Sequence, residues 1–152
     1  MLIDERFSVN APIEGLWDSF LNPEFLGPCF PGCEQVETIS PNEYDSIVKA
    51  KVGPFSVRFK VRTVIEEMLP YQFIQTAGEG KELRNLGQFR QKTTVRFVSL
   101  SANETEVSYR SDVAMVGKLA TFGDKVLRSK AKEIGASFAL AVREKFEGFD
   151  QS

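Results

Sequence analysis

The sequence predicts an α+β fold of two layers. A curled antiparallel sheet of about seven strands surrounds one long C-terminal helix, with two short helices after the first strand. Three observations lead there. From Glu34 to Met115 the apolar residues recur with period two, in runs joined by short polar turns. No crossover helix separates these runs, so neighbouring strands pair antiparallel. From Lys118 onward the period turns helical for about 30 residues, a helix about 45 Å long at 1.5 Å per residue. A sheet of this size curls, and a curled sheet around a straight helix leaves a gap that is a natural pocket.

In chain order, Ile3, Glu5, Phe7 and Val9 share one face of a first strand. In NAPIEGLWDSFL, Pro12 suits a first helical turn, with Asn10 or Ala11 near the cap. Ile13, Leu16, Trp17 and Phe20 then follow at helical spacing. A second short helix over Glu24 to Gly27 runs into the turn PCFPGC. Strands follow at Glu34 to Ile39 and Tyr44 to Val52, then from Phe55 past Ile65 and from Tyr71 to Ala77. In the longest of them Phe55, Val57, Phe59 and Val61 alternate with Ser56, Arg58, Lys60 and Arg62, as in a half-buried antiparallel strand. GEGKELRNLG reads as a mobile hairpin loop; its glycines lack the strand–loop–helix setting of a phosphate loop. A last hairpin joins Phe89 to Leu100 with Thr105 to Met115. On the terminal helix Leu119, Phe122, Val126, Leu127, Ala131, Ile134, Phe138, Val142 and Phe146 form one apolar stripe. Gly117 and Gly123 stand out there as places for close packing or a bend.

The 152 residues are expected to form a single domain over 1–152. Thirteen Phe against one Trp and three Tyr mean a dense core or an apolar cavity. A formal net charge of −2 argues against a nucleic-acid partner. The start MLIDERF lacks the basic and apolar regions of a signal peptide, and no apolar run approaches the roughly 20 residues of a membrane span. With only two cysteines, a reducing cytoplasmic setting is expected. The chain has no histidine, which removes Ser-His-Asp and Cys-His catalysis and the usual neutral-pH base. Cys29 and Cys33 flank Pro31-Gly32 without the further ligands that tetrahedral zinc needs, so no metal is expected and PCFPGC reads as a turn.

The order of elements and several strings resemble the START-like helix-grip superfamily (SRPBCC), which includes polyketide cyclases and lipid-transfer-like proteins. Within it the likeness is to the family of the carbon monoxide dehydrogenase G subunit. The strings are FSVNAPIEGLW at 7–17, NPEFLGPCFPGCE at 22–34, KVGPF at 51–55 and DVAMVGKLATFG at 112–123. The resemblance implies an intracellular ligand-binding domain with an internal apolar cavity and no cofactor. It implies an accessory role beside a molybdenum hydroxylase of the carbon monoxide dehydrogenase type, at the inner membrane surface, with a quinone or lipid as cargo. Members of this branch often extend past the last helix in a tail that reaches the membrane; the sequence ends at Ser152, so anchoring by a tail is not expected.

Alternation and the helical stripe supply the residues expected to line the cavity: Tyr44, Val48, Phe59, Phe73, Phe89, Gln91, Tyr109, Val113, Leu119, Phe122, Leu127, Ile134 and Phe138. Phe25, Leu26 and Phe30 are expected at its rim. Tyr44, Gln91 and Tyr109 bring polar atoms to apolar faces, so they bond one another or a carbonyl or hydroxyl of a ligand. Lys118, Lys125, Arg128, Lys130 and Lys132 form a basic run fit for an anionic membrane or an acidic partner. Two other readings stay open. One is a cyclase-like enzyme, in which Tyr44 and Tyr109 orient a polyketide and water or Glu5 moves protons. The other is an assembly factor with an empty pocket.

Overall fold

The computed structural model describes residues 1–147; the expected domain's last residues, 148–152, lie outside them. β1 (Leu2–Val9) leads into α1 (Ile13–Phe20), α2 (Pro23–Leu26) and a 3-10 turn (Gly27–Cys29). Then come β2 (Cys33–Ser40), β3 (Glu43–Val52), β4 (Phe55–Leu69), β5 (Phe73–Glu82), β6 (Gln88–Ser101) and β7 (Glu104–Val116). A second 3-10 turn (Lys118–Phe122) precedes α3 (Asp124–Glu147). The seven strands form one antiparallel sheet in the order β1-β7-β6-β5-β4-β3-β2. β2 to β7 are thus a plain meander, and β1 closes the far edge. The expected α+β architecture is present: one curled sheet, two short helices after β1, and a long terminal helix.

Register fixes which side chains face the helix layer, because the pleat has period two. Phe7 on β1 stands beside Val107 on β7, and Val107 beside Phe97 on β6. All three are buried, and α1 adds Leu16 and Trp17 to the same core. Trp17 meets Phe97 edge-on with ring centroids 5.3 Å apart. Pro12 sits just ahead of α1 in an extended conformation, outside the first turn. Asn22 caps α2, its Oδ1 accepting the Glu24 N–H at 3.0 Å.

PCFPGC is a turn docked onto β3. The Gly32 carbonyl accepts the Lys49 N–H at 2.8 Å. Gly32 has φ of 82°, and a Cβ there would collide with the Lys49 carbonyl oxygen, so no other residue fits. Both cysteines are free thiols. Burial pushes both upward in pKa, which makes neither a ready thiolate.

Three boundaries differ from the sequence expectation. The terminal helix does not run unbroken from Lys118: Gly117 and Gly123, with φ of 91° and 85°, bracket the 3-10 turn, and α3 is 24 residues, about 36 Å. The expected loop GEGKELRNLG is half strand. β5 continues through Gly78 and Gly80 to Glu82, because Gln91 and Phe89 on β6 lie over these glycines where a Cβ would collide. Finally, Tyr71 is no strand residue; it turns with φ of 64°, and β5 starts at Phe73.

The short loop after β5 is held by a buried carboxylate. The Glu82 side chain is 1% exposed and accepts the backbone N–H groups of Arg58 at 3.0 Å, Arg84 at 2.6 Å and Leu86 at 3.4 Å. Burial alone would raise its pKa; these three donors and the Arg84 guanidinium outweigh it and hold the carboxyl below its ordinary value. Replacing Glu82 by Ala orphans three donors and is expected to lower stability by about 3 kcal/mol in urea unfolding. Because the folded pKa is depressed, the stabilisation is present above the unfolded value near ~4.3 and fades as pH falls through the folded value. The gap between wild type and Glu82→Ala should therefore narrow below about pH 4.

Candidate functional site

The inner face of the sheet carries two separate cores. The larger joins Phe7, Val9, Leu16, Trp17, Ile74, Phe97, Val107, Phe138 and Val142. The smaller joins Val52, Val57, Phe59 and Leu119, with Phe89, Met115, Phe122 and Leu127 packed against it. Between them runs a band of small and polar residues: Ser46 on β3, Thr63 on β4, Thr76 and Gly78 on β5, Gln91 and Thr93 on β6, and Ser111 on β7. All face the helix layer, yet all except Gly78 are only half-buried. Solvent therefore reaches the inside of the grip.

α3 explains why. Its buried residues, Phe138, Ala139 and Val142, all lie in its C-terminal half. Phe138 meets Phe7 and Phe20 edge-on and stacks on Phe30 at 4.5 Å. Arg143 Nε donates to the Ser8 carbonyl at 2.9 Å, and Glu147 accepts the Asn10 N–H at 2.8 Å. In the N-terminal half Leu127 and Ile134 are half-buried and Val126 is exposed. A hollow of about 370 Å³ opens there between the β3–β4 turn and α3, lined by Lys51, Val52, Gly53, Lys125, Val126, Ser129, Lys130 and Glu133.

The band's polar groups are partly committed. Thr93 Oγ1 donates to Gln91 Oε1 and shares a hydrogen bond of 2.6 Å with Ser111 Oγ. With Oε1 so engaged, Gln91 offers its NH₂ donors; Nε2 lies over Gly78, 2.5 Å from where a Cβ would stand. Tyr109 reaches from β7 to α3. A Cβ at Gly135 would collide with its hydroxyl, so the missing side chain makes the room. Burial first, and Glu5 opposite it on β1 second, push the Tyr109 phenol up, so it stays a protonated donor at neutral pH.

The expected cavity residues divide. Phe25, Leu26, Tyr109 and Phe138 belong to the larger core, and Phe59, Phe89, Leu119, Phe122 and Leu127 to the smaller. Phe30 is 41% exposed at the rim, against Phe138. Val48, Gln91, Val113 and Ile134 are half-buried. Val48, Gln91 and Val113 face inward by register. Phe73 does not join them: it pairs with Arg96 on the outer face, with the guanidinium 5.7 Å from the ring centroid, and Ile74 takes the inward place. Tyr44 faces inward near the β2–β3 turn, its hydroxyl donating to the Pro41 carbonyl at 3.2 Å. It lies four strands from Tyr109, so the two tyrosines that a cyclase would use together are apart.

Much of the expected basic face is engaged within the chain. The Lys118 ammonium sits 5.1 Å from the Phe55 centroid, Arg128 donates to the Leu2 carbonyl, and Lys130 pairs with Glu133 at 3.3 Å. Lys125 and Lys132 are exposed. Among the described residues no helix is long and apolar enough to cross a membrane.

A curled seven-stranded sheet gripping a long terminal helix defines a START-like helix-grip protein. The chain matches the model of the carbon monoxide dehydrogenase G subunit (CoxG) family over residues 6–146, and it belongs to that family. No curated protein matches it. Solved structures share the fold at low identity. A conserved protein from Geobacillus kaustophilus is 16% identical, with TM-score 0.89 over 96% of this chain and 95% of that one. A START superfamily protein from Mycobacterium smegmatis is 16% identical, with TM-score 0.73 over 97% and 98%. The ZhuI aromatase/cyclase from Streptomyces sp. R1128 is 14% identical, with TM-score 0.72 over 97% and 93%.

Gly135 sits in a helix, where Ala is ordinarily better by about 1 kcal/mol. Gly135→Ala is expected to lower the melting temperature of the wild type, because Tyr109 must move. In a Tyr109→Phe background the same change should raise it. A thermal-melt cycle over the four proteins checks this.

Proposed function

We propose that the protein binds a neutral amphipathic molecule, of the quinone or lipid type, inside the grip and carries it without transforming it. The observation that carries this reading is the half-buried polar band between two apolar cores. A ligand lying across the sheet would bury its apolar body against both cores and meet the Gln91 amide and the Tyr109 hydroxyl on the way. Both are donors, so each suits a carbonyl oxygen. Glu5 beside Tyr109 disfavours an anion at the same place.

Family membership and fold both support an apolar cargo. The family also supports service to a molybdenum hydroxylase of the carbon monoxide dehydrogenase type. Contact with an anionic membrane would run through Lys125 and Lys132, the exposed members of the α3 lysines.

Titration with ubiquinone-1 and with methyl oleate, followed by Trp17 fluorescence and calorimetry, tests the reading. At least one of them should bind, and oleate should bind more weakly than its methyl ester. Gln91→Leu and Tyr109→Phe should each weaken binding about fivefold to tenfold, the worth of one neutral hydrogen bond. No binding of either probe, or equal affinity in wild type and both variants, would sink it.

A further inference from the structure

We infer that the outer face of β3–β5 is a docking surface for an acidic segment of a partner protein. This face points away from α3, and the charges at one end of it are not paired as their neighbours are. Next to that end Arg62 holds Asp45 at 2.6 Å, Arg90 holds Glu79 at 3.3 Å and Lys92 holds Glu66 at 3.7 Å, while Arg96 lies over the Phe73 ring. At one end of β3, β4 and β5 the pairing reverses. Lys49 is directly opposite Arg58, and Lys60 is directly opposite Lys81. Like charges directly opposite one another destabilise a sheet. Lys51 and Arg84 extend the same cluster, and all six cations are exposed.

The carboxylates nearby neutralise only part of it. Glu34 holds Arg58 through two bonds, of 2.6 and 2.9 Å. Glu82 is 1% exposed, taken up by backbone N–H groups, and reaches only Arg84 among the six cations, at 3.9 Å. Glu79, next along β5, is taken by Arg90 and Asp45 by Arg62. The cluster thus sets six cations against Glu34 and Glu82, in a chain whose formal net charge is −2. A sequence that is acidic as a whole has gathered an unbalanced positive field on one sheet face.

Shape and size select the occupant. A hollow of about 340 Å³ opens in the cluster, lined by Lys49, Ser56, Val57, Arg58, Glu82, Leu83 and Arg84. Arg84 is fixed at its wall by donating to the Ser56 carbonyl. A concave site with guanidinium groups suits a projecting carboxylate. Three strands span roughly 10 Å, the width of one extended acidic segment. A bilayer fits less well, because Arg58 and Arg84 line a hollow that a flat surface does not enter; Lys51 also lines the second hollow, beside Lys125 and Lys130. The inference is independent of what the grip holds.

The test uses the full chain and a fluorescein-labelled peptide of eight glutamates, read by anisotropy at low salt, with an eight-glutamine peptide as control. The wild type should bind the acidic peptide, and added salt should weaken the binding. The double variant Lys49→Glu, Lys60→Glu should lose at least tenfold in affinity while staying folded, as checked by circular dichroism and a cooperative thermal melt. Lys125→Glu with Lys132→Glu on α3 should leave peptide binding unchanged. Equal peptide affinity in wild type and the sheet variant would overturn the inference. So would binding to phosphatidylglycerol vesicles that is lost in the sheet variant while the peptide never binds, since the occupant would then be a bilayer.

Discussion

Phe138 is the point on which the two layers depend. Its ring is wedged among Phe7 from the sheet, Phe20 from α1 and Phe30 from the docked turn, so one side chain fastens α3 to three other parts of the chain. Removing a buried Phe typically costs about 3–5 kcal/mol, a large share of the stability of a domain this size. Tighter fastening at one end has a geometric result. The sheet curls, and the burial reached around Phe138 is not kept toward the start of α3, where only Leu127 packs on the smaller core and Arg128 donates to the Leu2 carbonyl. The gap then falls over Ser46, Thr63, Gln91 and Ser111, which are the side chains least suited to a sealed core. The polar band and the uneven burial of α3 are two expressions of the same constraint.

That constraint also orders the two faces of the sheet. The inner face holds what a small apolar ligand would meet: rings at both ends and a few donors between them. The outer face holds charge, and nothing among the described residues covers it. Binding inside and docking outside can therefore be served by opposite faces of one sheet, since period two sends Phe59 and Val61 inward and Arg58 and Lys60 outward. A carrier that must be recognised while loaded needs such a separation.

The sheet was largely legible in the sequence because one face is buried, so alternation is enforced along every strand. Gln91 and Tyr109 were legible for the same reason. What failed to show was non-local. Phe73 looks inward by its chemistry, but the turn at Tyr71 sets the parity of β5 and sends it outward. Gly78 and Gly80 look like loop residues until Gln91 and Phe89 are placed over them. The split in the terminal helix falls at Gly117 and Gly123, which stand out in the sequence as places for a bend, although the apolar stripe runs on across them. Gly135 interrupts an apolar helix between Ile134 and Phe138, and that is its only trace; its role needs Tyr109, on an element that ends eight residues before α3 begins. The opposed lysines need the register, which no single strand carries.

A domain with its core in two pieces is unfinished when empty. On the proposed reading, the cargo is the missing middle segment, and loading joins the cores into one. The folded state then deepens with ligand supply by mass action, as RT ln(1 + [L]/Kd). Proteases and chaperones, which act on opened chains, would distinguish loaded from empty molecules with no receptor to tell them apart. The gap beneath α3 would make the cellular lifetime of the protein a gauge of how much cargo there is to carry.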